Sequence, residues 1–379
     1  MALDTHHITA LRLYGHRDIR VDRVLQQTCG DDDVRVDVAY CGICGSDLHE
    51  FHGPVLCPQP GKQEPLTGCS LPVTLGHEIS GTISEIGRNV SNVQVGDRVA
   101  VNPAIVESTV GLAPCADCDQ GFPNSCARAT CYGLGGPSGG FADEVVVKSN
   151  NVYKLPESVS FLEGALTEPL AVAWHSVRTA QFQPGQDALV LGAGPIGLAI
   201  LQVLRVRGAR NIIVTDIIHR RQEAARSFGA STVIDPLHDQ VGVLEVIQEI
   251  CGQDGVDIAF DTSGLQSTLD TAITCTKSRG TIFNVAIHEK PLLVNPTQLS
   301  LREKTFRGGN GYTEEDFRSV LGAMATGDLR VRSMVTAVVP LQQVKEKGFE
   351  PLLSKGGQHI KVLVQPGSKP HTRTLLPVL

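Results

Sequence analysis

The chain has 379 residues, 41% hydrophobic and 19% charged, with a net charge of −7 and 39 glycines. That length is too great for one hydrophobic core and suits two domains. No run of Lys or Arg is long enough to follow a phosphate backbone, which argues against nucleic acid as a main partner.

In chain order, the stretch from Ile8 to about Val101 reads as short strands and glycine-rich turns. Residues 34–40 alternate as a half-buried strand does, and Gly96-Asp97 is a turn leading into another strand. Near Leu166 the pattern changes. Strands are expected at 187–191, 211–216, 231–234, 256–260 and 280–285, with helices over 196–206 and 220–228. Strands alternating with helices predict a parallel, doubly wound sheet. The apolar stretch 188–204 is broken by three Gly and a Pro, so it is strand, turn and helix rather than a membrane span. From about Thr313 come one helix and a final strand at 359–364 that returns to the first domain, then a loosely ordered tail after Gln365.

Eleven cysteines are an odd number, several at metal-like spacings, which favours free thiols in a reducing compartment over a disulfide framework. Residues 1–7 lack the charged and apolar regions of a signal peptide, so the expected location is cytoplasmic.

Two groups of residues carry chemistry. Cys44, His77, Glu78 and Glu168 offer a thiolate, an imidazole and two carboxylates, from which a catalytic zinc takes three bonds and keeps one open position. Gly192-Ala193-Gly194-Pro195-Ile196-Gly197 follows a strand and opens a helix, with Asp216 nineteen positions after Gly197. That context makes it a dinucleotide fingerprint: Gly192 for the turn, Gly194 for approach of the pyrophosphate, Gly197 for helix packing. Asp216 would bind the adenosine ribose and repel a 2′-phosphate, favouring NAD over NADP. A cation in His219-Arg220-Arg221, with Arg221 a candidate contact, would act the other way.

Cys44-Gly45-Ser46-Asp47-Leu48-His49, Gly76-His77-Glu78, Gly96-Asp97-Arg98-Val99 and the fingerprint together resemble the zinc-containing medium-chain dehydrogenase/reductase family, within it the butanediol and sorbitol-type polyol dehydrogenases. The resemblance implies an α/β chain with a GroES-like β-barrel catalytic domain over 1–168, a Rossmann domain over 169–311, and a return to the catalytic domain over 312–379. It implies that Cys44 and His77 bind catalytic zinc, with either Glu78 or Glu168 as the direct carboxylate. Ser46 and His49 would relay the proton of the substrate, while Thr262, Val285 and Lys361 would line the cofactor. Phe51 and Trp174 are pocket walls or plain core.

The family also has a lobe of four cysteines spaced three, three and eight apart. Cys115, Cys118 and Cys126 match the last three, but Leu112 stands where the first would be. A fourth ligand from Cys131, Cys57 or Cys69, or a lobe that holds without metal, all remain open. The implied activity is hydride transfer between NAD and a small secondary alcohol, vicinal diol or polyol (or the matching ketone), by a homodimer or homotetramer without membrane or nucleic-acid partners. Two alternatives are a dehydrogenase tailoring a larger secondary metabolite and a zinc-independent reductase of the same fold.

Overall fold

A computed structural model describes residues 6–53, 55–288, 290–354, 357 and 359–367. The first five residues and the tail from 368, expected to be loosely ordered, lie outside the described residues. The chain divides into two compact units. The first comprises the residues through Leu166, Ala337–Leu353 and those from Val362; the second comprises Thr167–Thr336 and Ser354–Lys361. The return to the first unit therefore comes at Ala337 rather than at 312. The helix Glu314–Ala325 stays in the second unit because Asp316, fully buried, is held by Arg178 and His175 of the helix Thr167–Thr179.

In the first unit, a sheet runs in the order Val152–Lys154, Arg98–Val101, Glu78–Ile86, Asp33–Gly42, Lys361–Gln365, Val335–Pro340. Glu144–Lys148 also pairs with Asp33–Gly42. A smaller sheet places His7–Gly15 between Asp18–Leu25 and Val73–Thr74. The β-branched residues these strands favour fill the core between them: Val34, Val36, Ile79, Ile83, Val99 and Val101 are all buried. Each such side chain contributes roughly 1.5–3 kcal/mol relative to leaving it in water.

The second unit is built on six parallel strands in the order Thr232–Ile234, Asn211–Thr215, Asp187–Leu191, Val256–Asp261, Thr276–Asn284, Thr305–Gly308. Every residue of the central strand Asp187–Leu191 is buried, and residues 188–191 are the continuous apolar run that a two-faced parallel sheet requires. The chain order reverses between Asp187–Leu191 and Val256–Asp261, and ligands of such sheets bind beyond the carboxyl ends at that point. The sixth strand was not anticipated. It is four residues long and exposed throughout, so no alternation marks it.

Candidate metal and cofactor sites

Strand register assembles the first cluster. Gly42 lies opposite Glu78 in the antiparallel pair of Asp33–Gly42 and Glu78–Ile86, which brings Cys44, two residues on, beside His77 and Glu78. The ligand atoms of Cys44, His77 and Glu78 lie within 4.8 Å of one another. Cys44 caps the helix Gly45–His52, and its backbone N–H donates to Asp47 Oδ2 at 2.9 Å. A Cβ on Gly42 would stand 1.8 Å from Glu78 Oε2, so a glycine there makes room for the carboxylate. Thiolate, imidazole and carboxylate at this spacing fit three protein bonds to a zinc ion.

The His77 ring is held on both sides. Its Nε2 is 3.1 Å from Ser46 Oγ, and its buried Nδ1 faces the buried Asp47 Oδ1 at 3.6 Å. Burial opposes charge on this imidazole, but the Asp47 carboxylate and the Cys44 sulfur outweigh burial and raise its pKa well above the usual range. Backbone packs against the same segment from behind. Gly140 N donates to Gly76 O at 2.7 Å, and a Cβ on Gly133 would lie 2.0 Å from that carbonyl. Ser46 and His49, both half-buried, are three positions apart on one helix and so share a face. Glu168 opens the helix Thr167–Thr179 in the second unit and is not among the three clustered donors. Phe51 packs edge-on against Phe349 and Trp174 lies beneath the Arg207 guanidinium; both are buried and read as core.

The second cluster differs from the expectation in its fourth member. Cys115, Cys118 and Cys126 meet Glu107, with ligand atoms again within 4.8 Å. Cys131, Cys57 and Cys69 are not part of it, and Leu112 is about half exposed. Glu107 precedes Cys115 by eight positions, so a search for a thiol three before Cys115 could not find it. No spacing in the sequence marks a carboxylate at that distance as a ligand. The thiols of Cys126 and Cys118 donate to Glu107 Oε2 at 3.1 and 3.2 Å, and Arg128 Nη2 reaches Oε1 at 3.0 Å. These contacts hold the buried Glu107 carboxyl down at about 2. Three sulfurs and a carboxylate supply the four protein donors that a closed structural zinc site needs. The lobe is closed at its neck by the two-residue strands Ala104–Ile105 and Thr130–Cys131.

In the second unit the fingerprint turn adopts the geometry its glycines imply. Gly192 has φ +100°, and a Cβ on Gly197 would lie 1.9 Å from Gly192 O. Gly194 caps the helix Pro195–Val206 and faces open space, the nearest atom to a built Cβ being Arg221 Nη1 at 3.9 Å. Pro195, which carries no N–H, and Ile196, both half-buried, form the first helical turn, so the N–H groups of Ile196 and Gly197 stand at the helix start where a pyrophosphate would sit. Asp216 accepts from Ala193 N at 2.7 Å and Ile218 N at 2.8 Å, and Arg221 Nη1 stands 3.9 Å from its Oδ2. Gly192, Gly194, Asp216, Arg221 and Thr262 line a cavity of about 840 Å³, large enough for half of a dinucleotide. Thr262 Oγ1 donates to Leu191 O and Gly192 O, so its hydroxyl supports the turn. Val285 N donates to Asp261 O, which fixes the backbone at the next strand end. Lys361 is buried at the start of its strand and is not a wall of this cavity.

Residues 30–157 match the alcohol dehydrogenase GroES-like domain and residues 195–326 the zinc-binding dehydrogenase family. The chain is 38% identical to a (R,R)-butanediol dehydrogenase of Saccharomyces cerevisiae, over 89% of this chain and 92% of that one. It is 32% identical to D-xylulose reductase A of Aspergillus oryzae, over 90% and 92%. The crystal structure of 2R,3R-butanediol dehydrogenase from Bacillus subtilis superimposes with a TM-score of 0.88 at 36% identity, covering 95% of this chain and all of that one.

Proposed function

The chain belongs to the zinc-type medium-chain dehydrogenase family, and from that premise we propose that it interconverts a secondary alcohol and its ketone with NAD. It is a zinc-type secondary alcohol or polyol dehydrogenase. The substrate we assign is a small vicinal diol of the butanediol class, with acetoin as the matching ketone, because the relatives named for butanediol are the more similar. The observation that carries the reading is the convergence of Cys44, His77 and Glu78.

When bound, zinc supplies the Lewis acidity that lets an alcohol lose its proton near neutral pH, and NAD supplies the ring that accepts hydride. Cys44, His77 and Glu78 hold the metal, and we assign Glu78 rather than Glu168 as the direct carboxylate. Asp47 orients the His77 ring from its far side, a partnership that sharpens metal sites generally. Ser46 Oγ accepts the hydroxyl proton of the substrate while passing its own on toward His49, on the same face of the helix, and His49 releases a proton to solvent, a task suited to an imidazole. Asp216 holds the adenosine ribose, and the helix end at Gly194 holds the pyrophosphate. Glu107, Cys115, Cys118 and Cys126 hold a second, structural zinc.

All eleven cysteines are free, which supports a reducing, cytoplasmic setting. No helix among the described residues is long and apolar enough to cross a membrane. The exposed edge strand Thr305–Gly308, with Phe306 and nearby Leu301 in solvent, supports a homo-oligomer, since an unpaired edge templates a second copy. The test is zinc per subunit on purified protein, paired with NAD reduction on (R,R)-, (S,S)- and meso-butanediol and on sorbitol. Two zinc ions with turnover on a diol are expected. Protein without zinc that oxidises none of these alcohols overturns the assignment.

A further inference from the structure

We propose that Asp261 is the positioning residue of the phosphate turn, acting through the hydroxyls of Thr262 and Ser263. Asp261 ends the strand Val256–Asp261, beside Leu191 in the neighbouring strand. It is 1% exposed, an expensive place for a carboxylate unless its contacts do something. Its Oδ1 accepts from Ser263 N at 2.9 Å, Gly264 N at 3.1 Å and Thr268 Oγ1 at 3.0 Å. That single atom curls the chain beyond the strand and pins it to the helix Gln266–Cys275.

The curl aims two hydroxyls at the fingerprint. Ser263 Oγ donates to Leu191 O at 3.0 Å, and Thr262 Oγ1 donates to Leu191 O at 2.9 Å and Gly192 O at 3.1 Å. These are the carbonyls on which the turn pivots. Gly192 N–H is held on Thr215 O and Ala193 N–H on Asp216 Oδ2, so with both carbonyls held as well these two peptide planes cannot rotate freely, and they fix where the helix start at Gly194 stands. The Asp261 carbonyl meanwhile accepts from Val285 N at 3.0 Å and Ala286 N at 3.2 Å. One residue thus braces the pyrophosphate turn on one side and the Val285 backbone on the other.

The inference rests on the NAD assignment above, and its test separates the two. Asp261→Asn keeps the size of the side chain but weakens acceptance from the two backbone N–H groups. Ser263→Ala removes one hydroxyl, and Thr262→Val the other, at lower risk to the fold. ADP and adenosine are titrated against each variant by calorimetry, and NADH by fluorescence. ADP and NADH should weaken about tenfold, the equivalent of about 1.4 kcal/mol, while adenosine, which has no phosphate, is unchanged. The KM for NAD should rise with kcat at saturation preserved, a split that general loosening of the fold would not produce. Equal ADP affinity in wild type and all three variants overturns the role of Asp261. Parallel loss of adenosine binding also overturns it, by making the contacts part of the general fold. Wild-type protein that binds neither ADP nor NADH would instead sink the cofactor assignment.

Discussion

Replacing Asp316 with Asn should destabilise the second unit by about 3 kcal/mol. The carboxylate accepts from Arg178 Nε and Nη2 at 2.7 and 2.8 Å and from Thr313 N at 2.9 Å, and it lies 2.8 Å from His175 Nδ1. The Thr313 contact caps the helix Glu314–Ala325 and is worth about 1 kcal/mol. Hydrogen bonds to charged donors are worth about 1.5–3 kcal/mol each, but the Arg178 side chain is 36% exposed and water replaces part of that. About 2 kcal/mol remains for the ion pair. The only tryptophan, Trp174, lies in the same helix as His175 and Arg178, so its fluorescence during urea unfolding reports on this unit. With a slope of about 2 kcal/mol per molar, the midpoint should fall by about 1.5 M. The effect has a pH signature. Burial pushes the Asp316 carboxyl up, but His175, Arg178 and Thr313 outweigh it and hold the group well below the usual carboxylate range. A depressed carboxylate stabilises above its unfolded value, about 3.9, and that stability is lost as pH falls toward the folded value. The difference between wild type and variant should therefore be flat from neutral pH to about 5 and shrink by about 1 kcal/mol by pH 3. A difference under 1 kcal/mol at pH 7, or one unchanged at pH 3, would refute the reasoning.

Three other substitutions test the sites. Gly42→Ala forces the Glu78 carboxylate aside and should lower kcat about 100-fold with weaker zinc retention, because displacements near 1 Å cost that much; unchanged zinc content and kcat would show that Glu78 is not a ligand. Glu107→Gln removes the carboxylate donor of the lobe and should take zinc from two per subunit to one by elemental analysis, with Cys44-bound metal retained. Asp216→Ala should reduce the preference for NAD over NADP at least tenfold in kcat/KM, and an unaltered ratio would remove Asp216 from the ribose.

The parts of this protein that could be read from sequence are those whose cause is local. Residues 188–191 are apolar, as a two-faced strand needs, and Gly192 and Gly197 stand where backbone must turn or touch. The Cys44, His77 and Glu78 cluster was legible because the motifs are distinctive, although the register that joins them, Gly42 opposite Glu78, is a long-range fact. Glu107 was not legible, since a carboxylate eight residues from a cysteine looks like any surface acid until the chain folds back on it. The membership of helix Glu314–Ala325 depended on a buried contact 138 residues away in sequence, which no periodicity announces. Thr305–Gly308 escaped because an exposed edge has no buried face to impose alternation.

The neck formed by Ala104–Ile105 and Thr130–Cys131 has a bearing on engineering. Two residues beyond it, Gly133 lies against Gly76, immediately before His77, with no space for even a methyl group. The lobe is thus not a detachable ornament that a chimaera can exchange at will. A graft of residues 104–131 from a relative imposes its own exit angle on Gly133, and any mismatch is delivered to the His77 backbone. Swaps that carry residues 104–140 as one block keep donor and recipient geometry consistent, and those are the boundaries along which this fold can be recombined.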